Sequence, residues 1–310
     1  MRTLVIDNPA SRMHRVPPGH PEHEGRYLAA RDALTALTGP VWHEARPAET
    51  ASVERFHTAD YIERIRDACD TAAADEWVSL DLDTKVCRDT WRAALATAGA
   101  SIDAVDRIMA GEADAAFCLA RPPGHHAEPD RAMGFCLLNS IAIAALHALE
   151  VHGLARVAIV DIDVHHGNGS QCLAELDTRV MFASLHQSPL YPGTGSADET
   201  GLNGNVVNVP LMAGTQGPAW RDAFTRQVRP ALAAFRPEFI FVSAGFDAHE
   251  RDPAGGLALL EADFAWAASQ LAGLAAEFAS SRLVSVLEGG YDCPALGRSA
   301  AAFVQALVEA

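Results

Sequence analysis

The stretch Ile159-Val160-Asp161-Ile162-Asp163-Val164-His165-His166 ends an apolar run in ionisable groups at alternate positions. Alternate residues of an extended strand share a face, so Asp161, Asp163 and His165 point one way. A carboxylate and an imidazole two residues apart can grip one divalent cation, and a third ligand must come from elsewhere. Asp247, at the end of the apolar run Phe239-Ile240-Phe241-Val242-Ser243-Ala244-Gly245-Phe246, is the natural candidate. Two Asp and one His leave a tetrahedral zinc one position for water or substrate. A lone Asp-x-His is usually incidental, and a buried Asp can simply cap a helix. A second strand that also ends in an acid is what favours a metal here.

Two further groups could do chemistry beside such an ion. His125 and His126 follow Arg121-Pro122-Pro123-Gly124, a loop stiffened by its prolines and freed again at Gly124. Adjacent imidazoles on a rigid loop can take a proton from water and give one to a leaving amine. Each needs a partner to fix its tautomer; Asp161 is free for one, and Asn168 in Gly167-Asn168-Gly169 can hold the other. The second pair, His165-His166, is read differently: His165 as a ligand, His166 as a buried structural group. Glu288-Gly289-Gly290-Tyr291 places a phenol on a two-glycine turn, where its hydroxyl could donate to a developing oxyanion.

These groups need elements to carry them. Five nearly continuous apolar runs read as buried strands: Ala115 to Leu119, Val157 to Ile162, Val180 to Leu185, Phe239 to Ser243 and Leu283 to Leu287. Helical patterns lie between them at Asn139 to Val151, Trp220 to Ala234 and Glu261 to Ala279. The first 110 residues add a strand at Thr3 to Ile6 and helices near Gly25 to Leu37, Ala59 to Ala73 and Thr90 to Ala110. This alternation predicts an α/β fold, a mostly parallel sheet with helices on both faces. The tandem His follows the first of the five runs, Asp163-Val164-His165 the second, His186 the third, Asp247 the fourth and Gly289-Gly290-Tyr291 the fifth. Ligands in open α/β sheets bind beyond the carboxyl ends of strands, so the five clusters should converge on one crevice.

Composition narrows the setting. The 310 residues are 49% hydrophobic and 21% charged, ordinary values for a water-soluble globular enzyme. No linker, repeat or domain boundary is visible, so a single domain over 1–310 is expected. A formal net charge of −16 disfavours a phosphate backbone as partner and suits a cationic one, although solubility alone also accounts for it. No apolar run is long enough for a membrane span and the N-terminus builds no signal-peptide core, so a cytoplasmic protein is expected. The six cysteines form no C-x-x-C pair and read as reduced core residues.

Together the motifs resemble the zinc-dependent histone deacetylase family, particularly its class II branch. The resemblance starts at His20-Pro21-Glu22 with Arg26 and His57-Thr58-Ala59-Asp60-Tyr61. It continues through Arg121 to Ala127, Gly134-Phe135-Cys136, Asp161 to Gly169, Ser184-Leu185-His186 and Pro192-Gly193-Thr194-Gly195. It closes with Ala244 to His249 and Glu288 to Tyr291. Asn168, where class I members carry Asp, is the class II feature. The resemblance implies an arginase-deacetylase fold with a central sheet of about eight strands. It implies one Zn2+ on Asp163, His165 and Asp247, and His125 and His126 as the acid-base pair, backed by Asp161 and Asn168. Tyr291 becomes the carbonyl-polarising phenol. Phe135 and Tyr191 would line a channel for lysine methylenes, with the Gly134 carbonyl receiving the substrate amide. A structural K+ is implied on the Asp161 carboxylate and on backbone oxygens of Asp163, His165, Ser184 and Leu185.

Four places depart from the family pattern. Glu24 stands where Pro is frequent, Leu138-Asn139-Ser140 replaces Phe-Asn-Asn, and Tyr191 replaces a common Phe. Ala254 stands where acetyl-lysine enzymes often carry Leu and a polyamine-selecting branch carries Glu. Ala254 removes the acidic gate for a second ammonium and widens the mouth, although Asp81 or Asp83 could substitute for that gate. The expected substrate is therefore an acetylated lysine peptide, with an acetylated polyamine as the rival. A two-manganese ureohydrolase would need further Asp and His ligands, and a non-catalytic acetyl-lysine binder would not need the acid-base and Tyr positions.

Overall fold

The computed structural model describes residues 1–310. Ten strands occur in chain order: β1 Thr3–Asp7, β2 Val41–Glu44, β3 Val78–Ser79, β4 Lys85–Val86, β5 Ala115–Leu119, β6 Val157–Asp161, β7 Val180–Gln187, β8 Val206–Leu211, β9 Ile240–Ala244 and β10 Leu283–Leu287. Eight of them form one sheet in the order β2-β1-β5-β10-β9-β6-β7-β8, and β3 and β4 make a separate hairpin. Every pairing in the large sheet is parallel. The expected mostly parallel sheet of about eight strands is thus an entirely parallel one, in a single α/β domain.

Parallel strands must be covered on both faces, and the period-2 alternation of side chains divides them between two cores. Val5, Ala158, Val160, Ile240 and Val242 belong to one cluster of 42 buried residues. Leu4, Ile6, Val157, Ile159, Phe239 and Phe241 belong to the other, of 41. The second core is covered mainly by α3 Ala59–Thr71, α4 Thr90–Met109, α5 Ser140–Glu150 and α6 Asn168–Leu176, with Val53 added from a short helix before α3. The first is covered by α1 Glu24–Thr35, α7 Gly217–Ala223, α8 Arg229–Phe235, α9 Glu261–Phe278 and α10 Cys293–Glu309. A single turn, α2 Thr50–Val53, precedes α3.

The strands expected from sequence are present with ends shifted by at most two residues, Ala115 to Leu119 and Leu283 to Leu287 not at all, and two of the sheet's strands lie outside the expected runs. These are β2 and β8, the two edges, short or partly exposed and interrupted by Pro210 in β8, where an edge tolerates the lost N–H. The helix expected at Trp220 to Ala234 is broken by a π-turn at Phe224–Val228 between α7 and α8. Pro230, which lacks an N–H for the ladder, is the second residue of α8, two beyond the π-turn, and a π-bulge is one way a helix absorbs that loss. Helices α6 and α10 were also not anticipated.

The strand order carries the functional geometry. The chain leaves β5, skips across to build β6, β7 and β8, then returns to insert β9 and β10 into the gap. Strands β5, β10, β9 and β6 are consecutive neighbours at the centre. The loops beyond their carboxyl ends, from four separate parts of the sequence, therefore meet over a width of roughly 15 Å.

Candidate active site

Asp163 and His165 leave β6, and Asp247 leaves β9, its neighbour. His165 Nδ1 lies 3.0 Å from Asp163 Oδ1 and 3.2 Å from Asp247 Oδ2. One ligand atom from each residue falls within 4.8 Å of the others. Both carboxylates are fully buried. Their remaining oxygens are held by the backbone: Asp163 Oδ2 accepts from Gly289 N–H at 2.8 Å, and Asp247 Oδ1 accepts from Val164 N–H at 2.9 Å. Gly289 is required by this approach, since a Cβ there would stand 2.6 Å from Asp163 Oδ2.

The set fits a divalent ion of zinc type. Asp247 Oδ2 is buried and makes no aligned hydrogen bond, despite its nearness to His165. Ligand atoms on bonds of about 2.0–2.1 Å around a tetrahedral ion stand about 3.3 Å apart, close to the spacing found. Burial, reinforced by the neighbouring Asp163 charge, pushes Asp247 up to about 7. Burial works against a charged His165, but its contacts with Asp163 and Asp247 override this and raise it to about 10. Two carboxylates forced together in a dry site need a positive charge between them, and a cation supplies it.

A second His/Asp cluster is distinguished by its distances. His147 and His152 both place Nε2 2.7 Å from the same Asp106 Oδ1. That is hydrogen-bond spacing, tighter than ligands around an ion, and it staples α5 to α4.

Beyond β5 the tandem histidines lie side by side, ring centroids 4.0 Å apart and planes inclined by 40°. His125 Nδ1 pairs with Asp161 Oδ2 at 2.9 Å, and His126 Nδ1 with Asn168 Oδ1 at 2.9 Å. The Asn168 amide is oriented by its own Nδ2, which donates to Glu128 Oε1 at 2.7 Å and to the His126 carbonyl at 3.2 Å. His126 therefore carries its proton on Nδ1 and turns an Nε2 lone pair toward the slot. Burial opposes charge on both rings. At His125 the adjacent Asp161 and Asp163 overcome it and raise the imidazole to about 10; at His126, with charged His125 and His165 nearby, nothing does, and the ring is held well below its usual value.

Tyr291, beyond β10, faces the same slot. The cavity, ≈ 250 Å³, is lined by His126, His165, Gly134, Phe135, Tyr191 and Tyr291, with Pro21, Asp83 and Ala254 at its walls and mouth. Burial holds the Tyr291 phenol well above 10, eased by Arg26, so it is a proton donor at neutral pH. Gly134 and Phe135 both have positive φ, 56° and 67°. A side chain at Gly134 would collide with the His126 ring and lie 2.9 Å from Tyr191 Cε1. A non-glycine residue such as Phe135 in this conformation is strained, a condition typical of ligand-contacting positions.

Of the metal, acid-base and channel residues expected from sequence, His126, His165, Gly134, Phe135, Tyr191 and Tyr291 line the slot, whereas Asp163 and Asp247 stand behind it against His165, and His125 stands behind it against His126. For the implied K+ position, β6 and β7 place Asp161 beside Ser184, and Asp161 Oδ1 accepts from Asp163 N–H at 3.0 Å. His166 is buried on Thr194 and Gln171, each at 2.8 Å, away from the ligand set, as its structural reading requires. Residues with no assigned role in the sequence reading support the site from below. Glu288 Oε2 accepts the N–H groups of Gly124 and His125 at 2.7 and 3.1 Å, fixing the tandem-His loop. Glu22 pairs with both Arg26 and Arg121 in a fully buried cluster. Their only signal in the sequence is a place in or beside the stretches His20-Pro21-Glu22, Arg121 to Ala127 and Glu288 to Tyr291.

Comparison with known proteins agrees with this geometry. A family model described as the histone deacetylase domain matches residues 20–307. A histone deacetylase-like amidohydrolase of Pseudomonas aeruginosa is 41% identical over 87% of this chain and 71% of its own length. Histone deacetylase 10, chloroplastic, of Oryza sativa subsp. japonica is 37% identical over 91% of this chain and 68% of its own. The crystal structure of the HDA15 HD domain superposes with a TM-score of 0.92 at 32% identity, covering 100% of this chain and 89% of that one.

Proposed function

The chain belongs to the histone deacetylase family, and from that premise we propose that it is a zinc-dependent deacetylase acting on acetylated lysine-like amines, with residues 1–310 as one catalytic domain. The convergence of Asp163, His165 and Asp247 with two imidazoles and a phenol around one slot carries this reading.

Asp163, His165 and Asp247 would hold the zinc, which when bound supplies Lewis-acid polarisation and a more acidic water. The chain's own residues do the rest. Phe135 and Tyr191 flank the substrate methylenes, and the Gly134 carbonyl accepts the substrate amide N–H. His126 Nε2 takes a proton from water as its oxygen bonds to the acetyl carbon. Tyr291 donates to the carbonyl oxygen as negative charge gathers there. A protonated imidazole of the His125–His126 pair then delivers a proton to the amide nitrogen, the C–N bond breaks, and free amine and acetate leave. Asp161 stabilises positive charge on His125, and Asn168 holds the His126 tautomer. We assign K+ to the Asp161 carboxylate with backbone oxygens of Asp163, His165, Ser184 and Leu185, supported by the side-by-side placement of Asp161 and Ser184.

An acetyl-lysine peptide is the favoured substrate, because Ala254 places no charge at the mouth. Asp83, which does line it, is the observation on the side of an acetylated polyamine. Six unpaired cysteines are in keeping with a reducing compartment such as the cytoplasm; no helix is long and apolar enough to cross a membrane. Zinc-loaded protein offered an acetyl-lysine peptide, N-acetylputrescine and longer acyl-lysines separately should cleave the first fastest. Faster turnover of N-acetylputrescine would reverse the substrate assignment, and release of acetate from none of them would remove the hydrolase reading.

A further inference from the structure

Asp252 lies in the loop beyond β9, between the metal-set residue Asp247 and the channel residue Ala254. It is 6% exposed. All of its hydrogen bonds join it to backbone. Its Oδ2 accepts the N–H of Tyr291 at 2.5 Å and of Asp292 at 3.1 Å, and its Oδ1 accepts the N–H of Ala254 at 3.0 Å. One buried carboxylate thus bridges two loops that face each other at the slot.

The turn bearing Tyr291 is held on its other flank by Arg26. The guanidinium Nε donates to the Gly290 carbonyl at 2.6 Å, and its carbon sits 4.8 Å from the centre of the Tyr291 ring. The Gly290 carbonyl and the Tyr291 N–H belong to one planar peptide unit, so Arg26 and Asp252 grip that unit from its two edges. Gly290, with φ +121°, a conformation open to glycine and costly for other residues, is the pivot just before it. With the unit held at both edges, the backbone that carries the Tyr291 side chain is fixed.

We infer that Asp252 is a positioning residue for Tyr291, and that it couples the channel mouth at Ala254 to the phenol. A side chain pressing on Ala254 moves the acceptor that fixes Tyr291, so substrate fit at the rim is transmitted to the oxyanion donor. This rests on the catalytic role proposed for Tyr291, and its test has one arm that does not need that role.

In the kinetic arm, Asp252→Ala lowers kcat by about 10–100-fold with KM little changed, the size typical of removing a group that orients a reacting one. Asp252→Asn, which keeps one acceptor oxygen, recovers part of the loss. The double variant Asp252→Ala/Tyr291→Phe is no slower than Tyr291→Phe alone, because Asp252 acts through the phenol. Multiplying losses in the double variant would overturn the inference, since a general structural role gives that result. In the second arm the chain is labelled with 3-fluorotyrosine. It has four tyrosines, so four 19F lines are expected, and Tyr291→Phe identifies one of them. Asp252→Ala and Asp252→Asn each shift or broaden that line and leave the lines of Tyr27, Tyr61 and Tyr191 in place. An unmoved Tyr291 line in both variants would overturn the inference even in a protein that cleaves no acetyl amide, which keeps its failure separate from failure of the deacetylase reading.

Discussion

His125 and His126 are neighbours in sequence with the same side chain, and their partners set them apart. Asp161 brings a full negative charge to one ring, whereas Asn168 brings only an amide dipole to the other. One imidazole is thereby suited to hold a proton and the other to accept one, the division that acid-base catalysis near neutrality needs. Tyr291 completes the set as a donor that burial keeps protonated. Removing only its hydroxyl, in Tyr291→Phe, should reduce kcat by about 10²–10³ with the circular dichroism spectrum and metal content unchanged. Unimpaired turnover in that variant would take the phenol out of the mechanism. The functional residues readable in the sequence were those whose type is itself chemical. Asp252 and Glu288 escaped because they act by accepting backbone N–H groups, and nothing in an amino-acid string marks which amides a distant carboxylate will meet.

At the scale of elements, four of the five apolar runs and the polar residues after them point to the crevice at the strand ends; His186, after the third, instead bonds Ser184 Oγ and the Gly195 carbonyl and joins neither the metal set nor the slot lining. What they could not convey was which strands are neighbours. The insertion of β9 and β10 between β5 and β6 is what brings His125, Tyr291, Asp247 and Asp163 together, and it depends on pairings between distant segments. The missed elements have local reasons: β2 is a half-exposed edge with no continuous apolar run, and α6 begins at Asn168, in a Gly-Asn-Gly stretch read only for its polar groups. Helix α5 illustrates how an element is fastened to the site. Its cap Asn139 receives Ala142 N–H on its side chain, while the Asn139 N–H donates to His57 Nε2 at 2.9 Å. His57 must be neutral to accept, and burial lowers it to about 4. An unfolded His57 takes a proton below about 6.5, so the unfolded chain binds more protons between pH 6.5 and 4. This contribution is intact above pH 6.5 and lost as pH falls toward 4, by on the order of 3 kcal/mol across the window. Urea unfolding at several pH values should show a shallower loss of stability over pH 6.5–4 in His57→Gln than in the parent chain. Parallel profiles would show that His57 is not the neutral acceptor.

Across the whole molecule, a sheet with a core on each face leaves one open end, and that end collects buried charge. Glu22, Arg26 and Arg121 lie beneath the slot with no exposure, and Asp161, Asp163, Asp247 and Glu288 lie around it. Removing one member of such a network leaves its partners buried and unpaired, at a cost of about 3–5 kcal/mol. Two carboxylate oxygens of this network lack a donor, Glu288 Oε1 and Asp247 Oδ2, and only the second lies where two acids, Asp163 and Asp247, converge on a single imidazole. The account of this protein turns on a cation filling that place. Zinc titrated into chelator-stripped protein, with acetate release from an acetyl-lysine peptide followed at each addition, tests it most directly. The expected result is binding and turnover that rise together and stop at one equivalent per chain, both abolished in Asp247→Ala while the fold is kept. Acetate release that persists in stripped protein, or tight zinc binding that survives Asp247→Ala, would contradict it.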